Sequence, residues 1–230
     1  MKIALFDIDG TILWSRGAGR RSMERALTGI FGTPGPAGYR YDGKTDKQIV
    51  REAMQHEGFS SADVDGRMDA VLDRYVEELA IELTGDQHGT ALLPGVAALL
   101  DAVEQHDDIV LGLLTGNLVR GAEHKLRVVG VDPGRFVVGA FGSDHEVRSE
   151  LPAIARQRAS AVLGREIAAA DCVIIGDTPN DVACSRPIGA RAIAVATGHY
   201  DVTALAACCP EAVFADLSDT DAVLQAIINA

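Results

Sequence analysis

Apolar positions along the chain follow two rhythms. Short continuous apolar runs stand at residues 3–6, 109–114, 172–175 and 191–196, each closed by small or polar residues. Runs of that length mark strands buried on both faces of a parallel sheet. Weaker strand-like segments occur at 136–141 and 213–215. Between the runs, apolar residues recur at helical spacing: Val96, Leu99, Leu100 and Val103; Val119, Ala122, Leu126 and Val129; residues 151–163; and Val223, Ala226 and Ile227. This alternation predicts a parallel sheet covered by helices on both faces.

Residues 14–83 break the rhythm. Met23, Ala26, Leu27, Ile30 and Phe31 predict one helix, followed by a turn region dense in Gly and Pro at 32–38. Thr45 or Asp46 then caps a second helix carrying Ile49, Val50, Ala53 and Met54. A third pattern runs through Val64, Met68, Val71, Leu72, Tyr75, Val76 and Leu79, with no strand in this stretch and a polar linker at 83–90. The block reads as a small helical bundle inserted after the first strand. That strand cannot bury itself, so it belongs with the later ones. The expected division is an α/β core of residues 1–13 and 86–230 and a helical insertion of residues 14–85, with hinges at 13–16 and 84–93.

Composition narrows the partners more than the fold. The chain has 230 residues, 47% of them hydrophobic, and a formal net charge of -12. Such acidity argues against nucleic-acid binding and against anionic membrane surfaces. It leaves room for a small anionic substrate held by a metal or a few basic groups. No apolar stretch is long enough to span a membrane, and the strand-like N-terminus does not read as a signal peptide. Cys172, Cys184, Cys208 and Cys209 lack Cys-x-x-Cys spacing, and Cys172 falls in an apolar run. Reduced thiols in a cytoplasmic protein are the expectation.

The candidate chemistry sits at strand ends. The first apolar run ends in Asp7, Ile8, Asp9, Gly10 and Thr11. Acids at alternate positions of an extended chain point to the same side, which is costly without a cation or a shared proton. The pair suggests a metal site, with one carboxylate free to attack or bind and the other to move protons. Two more buried runs end in polar tips: Thr115, Gly116 and Asn117, and Asp177, Thr178, Pro179, Asn180 and Asp181. In a parallel sheet all these tips fall on one edge, where ligands bind. Thr115 reads either as a helix N-cap or as a hydroxyl for an anion.

Together these segments resemble the haloacid dehalogenase-like superfamily of hydrolases over nearly the whole chain. Residues 7–11 match its first motif, Thr115 its second and residues 176–181 its fourth, and the inserted helices resemble its small α-helical cap. The resemblance implies an α/β fold, a Rossmann-like parallel sheet core with an inserted α-helical cap domain. It makes Asp7 the nucleophile of an aspartyl-phosphate and Asp9 the acid and base. It places Mg2+ on Asp7, Asp177 and the backbone carbonyl of Asp9, with Asp181 close by. Thr115, Gly116 and Asn117 would hold the phosphoryl group. Arg148 is the best match to the third, basic motif, where Lys-Pro is commoner, and would neutralise the transferring group.

Insertion residues should select the substrate. Arg16 lies just past the first motif, and Lys44 is a candidate contact for a substrate anion or, equally, an exposed lysine. The presence of Asp9 favours phosphoryl transfer over dehalogenation, because a halide leaves without a proton. The expected activity is magnesium-dependent hydrolysis of a small phosphorylated metabolite, of the phosphoglycolate-phosphatase-like kind. A sugar-phosphate mutase, a phosphonatase and a non-catalytic phosphate-binding module remain alternatives, and the chain reads as a monomer or homodimer.

Overall fold

The computed structural model of the chain describes residues 1–85 and 89–230. In chain order its elements are β1 (Lys2–Phe6), β2 (Leu13–Trp14), α1 (Ala18–Phe31), α2 (Asp46–His56), α3 (Ser61–Asp65), α4 (Met68–Thr84) and β3 (Ala91–Leu92). Then follow α5 (Val96–Glu104), β4 (Ile109–Thr115), α6 (Val119–Val128), β5 (Val138–Phe141), α7 (Leu151–Leu163) and β6 (Cys172–Gly176). The chain closes with α8 (Pro179–Ser185), β7 (Arg191–Val195), α9 (Val202–Ala206), β8 (Ala212–Phe214) and α10 (Thr220–Asn229).

Six strands form one parallel sheet in the order β5-β4-β1-β6-β7-β8. The first strand is central because its side chains are apolar on both sides. Ala4 and Phe6 enter a core with α5, α6 and α10, whereas Ile3 and Leu5 enter the opposite core with α7 and α8. Each fully buried Leu or Ile contributes about 1.5–3 kcal/mol, enough to hold an N-terminal strand between β4 and β6. The register pairs Phe6 with Leu113 on one side and with Ile175 on the other. Asp7, Thr115 and Asp177 therefore emerge at one carboxyl edge, which is the topological condition for a shared site.

The inserted helices α1 to α4 have a core of their own, built on Met23, Leu27, Val50, Met54, Val71 and Leu79. Leu118, at the start of α6, completes that core from the sheet side. The single helical pattern expected across 64–79 is two helices. Ser60 caps α3 through a reciprocal pair with Asp63, α3 ends at Gly66, and Arg67 turns the chain into α4. Residues 83 and 84, expected to open a linker, complete α4, because Leu83 is buried in the insertion core. The rest of the expected linker includes residues 86–88, outside the described residues, as is the core boundary at 86. The strand expected at 136–141 begins at Val138, after a 3-10 turn at Pro133–Arg135.

The two crossings between sheet and insertion hold a feature the sequence pattern does not announce. β2 pairs antiparallel with β3, Leu13 opposite Leu92 and Trp14 opposite Ala91. Two-residue strands carry no readable periodicity. Truncating the central strand tests the packing directly: Leu5→Ala should lower stability by about 2–5 kcal/mol, read as a shifted urea midpoint at unchanged slope.

Candidate active site

The carboxylates of Asp7, Asp177 and Asp181 converge, with one oxygen from each within 4.8 Å of the others, and all three residues are buried. β1 and β6 deliver the first two. Asp181 arrives on the first turn of α8, where it forms a capping box: its Oδ2 accepts from the Thr178 amide at 2.9 Å and the Thr178 hydroxyl at 2.6 Å. Gly10 makes the approach of Asp177 feasible. Its φ is +82°, and a Cβ there would lie 2.3 Å from Asp177 Oδ2.

Arg148 is the cation of this cluster. It lies in a 3-10 turn ahead of α7 and is 5% exposed. Its Nη2 donates to Asp181 and stands 3.3 Å from Asp7 Oδ1. Burial works against its charge, but Asp181 and Asp7 outweigh that and hold the guanidinium firmly protonated. One guanidinium does not balance three carboxylates. Burial, only partly offset by Arg148, raises Asp7 to about 6, with the Asp181 and Asp9 charges adding to the rise. Asp177 is pushed well above the usual carboxylate range by burial first and by Asp181 and Asp7 next. An all-oxygen, charge-excess donor set of this kind fits a hard divalent cation, so these residues suit the metal that the fold implies.

Asp9 faces elsewhere. Its Oδ2 accepts from Lys125 Nζ at 2.6 Å and from Asn117 Nδ2 at 2.8 Å. Its Oδ1 has one long contact, from the Ser15 hydroxyl at 3.4 Å. Burial alone would raise its pKa, but Lys125, Asn117 and Ser15 together hold it below the usual value. Thr115 Oγ1 accepts from Asn117 Nδ2 at 2.8 Å, so Asn117 bridges the hydroxyl and Asp9. Thr115, Gly116 and Asn117 line the same cavity, of about 490 Å³, as Asp7, Asp177 and Arg148.

The insertion supplies the opposite wall, including Trp14, Arg20, Tyr41, Asp46 and Tyr75. It docks on the loop after β4 by direct hydrogen bonds. The Asp46 amide donates to Gly116 O at 2.8 Å, and the Leu118 amide donates to Asp46 Oδ2 at 2.8 Å. Gly116 permits this approach, since a Cβ there would lie 2.0 Å from Lys44 O. Arg16 sits on the cavity rim with φ +47°, and its Nε donates to Gly89 O at 3.2 Å. Lys44 also lines the cavity, but its Nζ donates to Glu52 Oε2 at 2.6 Å and to Tyr39 OH at 2.7 Å. Glu52 thus already neutralises the charge expected to meet a substrate.

Lys125 is the residue the sequence reading missed. It sits on α6, on the same side as Ala122 and Leu126, within the apolar stripe. A lysine in such a stripe is rarely buried without a partner, and that was the available signal.

A family profile described as haloacid dehalogenase-like hydrolase matches residues 4–186. The chain belongs to that family. Its fold is similar to a hydrolase from Pseudomonas syringae, at 18% identity and TM-score 0.73, covering 97% of each chain. It is similar to a "predicted phosphoglycolate phosphatase" from Haemophilus somnus, at 18% identity and TM-score 0.71, covering 98% of each chain. CbbY from Rhodobacter sphaeroides, solved in complex with phosphate, matches at 18% identity and TM-score 0.69, covering 95% of this chain and 96% of that one. No curated protein matches the sequence significantly.

The acid cluster makes a measurable prediction. The folded protein holds the Asp7 proton more tightly than the unfolded chain does, with a value of about 6 against 3.8. That contribution to stability is complete below the unfolded value and is lost as pH rises through about 6. A bound cation requires the opposite charge state. Mg2+ should therefore raise the melting temperature more at pH 7.5 than at pH 5. At about 100 times its dissociation constant the gain is about 2.7 kcal/mol, or roughly 5–10 °C for a chain of this size. Calorimetric scans with and without Mg2+ at the two pH values check this, and Asp177→Asn should abolish the difference.

Proposed function

We propose that the chain is a magnesium-dependent phosphatase acting on a small phosphorylated metabolite through an aspartyl-phosphate, with the inserted helices serving as a cap over the leaving group. The observation that carries this reading is the opposed setting of two acids one residue apart. Asp7 points into the carboxylate cluster beside Arg148, whereas Asp9 lines the cavity, its Oδ2 bound by Lys125 and Asn117 and its Oδ1 held only by a 3.4 Å contact from Ser15 among the described residues. Asp7, Asp177 and the Asp9 carbonyl would hold Mg2+, with Asp181 alongside; bound there, the ion offsets repulsion between Asp7 and an incoming phosphate.

The protein's own groups account for both halves of the reaction. Asp7 attacks phosphorus as the bond from phosphorus to the ester oxygen breaks, and Asp9 gives that oxygen its proton. The negative phosphoryl oxygens beside Asp9 favour its protonated form at this stage. Asp9 then takes a proton from water as that water attacks the same phosphorus. Asp7 is released as a carboxylate together with inorganic phosphate. Arg148 and the Gly116 and Asn117 amides stabilise charge on the transferring group, and Thr115 offers a hydroxyl to the same oxygens.

The phosphonatase alternative needs a free cap amine. Lys44 is bound to Glu52, and that favours the phosphatase. Hydrolysis of p-nitrophenyl phosphate should require Mg2+ and stop on addition of EDTA. Asp7→Asn should remove activity to background. Asp9→Asn should lower kcat by about 10²–10⁴ while Mg2+ affinity, measured by calorimetry, stays within about threefold. Absence of turnover across a broad panel of phosphate esters in Mg2+ would sink the catalytic reading in favour of a binding module. Transfer of phosphate to an added sugar phosphate, rather than its release, would mark a mutase.

A further inference from the structure

Lys125 occupies a position that no role given so far accounts for. It is 3% exposed, on a core helix, directly below the insertion. Its ammonium donates 2.6 Å hydrogen bonds to two acceptors, Asp9 Oδ2 and Asn117 Oδ1. Asn117 in turn donates to the same Asp9 oxygen and to Thr115 Oγ1. Gly19 of the insertion packs closely over Lys125: a Cβ there would be in contact, 3.4 Å from Lys125 Nζ and 3.6 Å from the Tyr75 hydroxyl. Asp46, buried on the first turn of α2, acts on the same charge from the insertion side.

The two oxygens of Asp9 are consequently unlike. Oδ2 takes two short, buried donors, one of them charged. Among the described residues Oδ1 has only the 3.4 Å contact from Ser15, and the Asp9 side chain, 39% exposed, lines the cavity. A carboxylate on a short stem turns freely about its last bond unless something fixes it, and a 1 Å misplacement of a reacting group costs up to about 10² in rate.

We propose that Lys125 is a positioning residue for proton transfer to the leaving group. With Asn117 it clamps Asp9 through Oδ2 and so presents Oδ1 to the ester oxygen. The step it serves is the first half-reaction: the Asp7 oxygen forms its bond to phosphorus, the bond to the ester oxygen breaks, and the proton on Asp9 Oδ1 passes to that oxygen. This inference rests on the phosphatase reading and adds to it a residue and a choice of oxygen.

A pair of esters separates this role from a structural one. Phenyl phosphate and p-nitrophenyl phosphate share a ring and differ in how much the departing oxygen needs a proton. Lys125→Met keeps the length of the stem and removes the ammonium. It should lower kcat/KM for phenyl phosphate about tenfold more than for p-nitrophenyl phosphate. Lys125→Gln, a milder change that keeps a donor, should do the same to a smaller degree. The ratio between the esters does not depend on the fraction of folded enzyme, so a loss of stability cannot imitate the effect. In the Asp9→Asn background the Lys125→Met change should leave that ratio where Asp9→Asn alone puts it, because its target is gone. An unchanged ratio in both single variants overturns the proposal, as does a further change in the double variant. Failure of the wild-type enzyme to hydrolyse either ester in Mg2+ would instead defeat the phosphatase reading itself.

Discussion

Repulsion among buried carboxylates is the constraint that organises this protein. Asp7, Asp177 and Asp181 are brought together with one guanidinium among them. No arrangement of that kind persists unless the surrounding fold over-determines it or a counter-ion relieves it. The fold supplies the first device. Three adjacent parallel strands, buried on both faces, fix where Asp7 and Asp177 emerge. The capping box of α8 locks Asp181 from the third direction with two donors of its own. Each acid is held by an element whose apolar burial lies far from the charge, so the sheet supplies the stability that the site lacks.

The insertion depends on the same edge. Its four helices bury an apolar core that Leu118 and Val128 help to close, with α4 packed against α6, and polar contacts then tie the insertion to the strand tips. Asp46 spans the junction, its amide meeting Gly116 O and its carboxylate the Leu118 amide. Both contacts fall on the loop that carries Thr115 and Asn117. Burial raises the Asp46 carboxyl to about 6 despite the nearby Lys125 charge. The Asp46 hydrogen bonds thus tie the wall opposite the acids to the loop after β4. Gly116 is required for the pairing itself, since any side chain would strike Lys44 O.

The parts of this arrangement that depend on period and adjacency were legible in the sequence. The apolar runs at 3–6, 109–114 and 172–175 locate the central strands within a residue of their observed ends, and the parallel order of the sheet then brings their polar tips together. Features that depend on fewer than about four residues, or on contacts across long separations, were not. The pairing of Leu13 with Leu92 is too short for any pattern to announce it. The break between α3 and α4 hides inside one continuous apolar period because Val64 and Met68 both face the same core. The partners of Lys44 were not legible, because Glu52, eight residues on, gives no sign of its pairing until the turn at Tyr39 brings the ring and the acid together. Lys125 stood in plain view within an apolar stripe, but its partner Asp9 lies 116 residues away in the chain.

The division of labour proposed for Asp7 and Asp9 follows from environment rather than residue type. Burial and neighbouring acids favour a proton on Asp7, whereas Lys125, Asn117 and Ser15 favour charge on Asp9. Taken alone, those directions would make Asp7 the proton carrier and Asp9 the nucleophile. The proposed mechanism reverses that assignment on geometric grounds. Asp7 stands against Arg148 and within reach of Asp177, where a bound cation would sit and the proposed reaction needs an attacking carboxylate. Asp9 lines the cavity with one oxygen firmly bound by Lys125 and Asn117 and the other only loosely held, which suits the proton donor the proposed reaction needs. In the proposed reading, the crowding of acids around Asp7 is what would hold a cation. The ammonium buried behind Asp9 keeps the second acid out of that crowd. One residue of separation in the sequence can serve the two proposed roles because the chain bends at Ile8, between the acids, while Lys125 and Asn117 hold the second carboxylate.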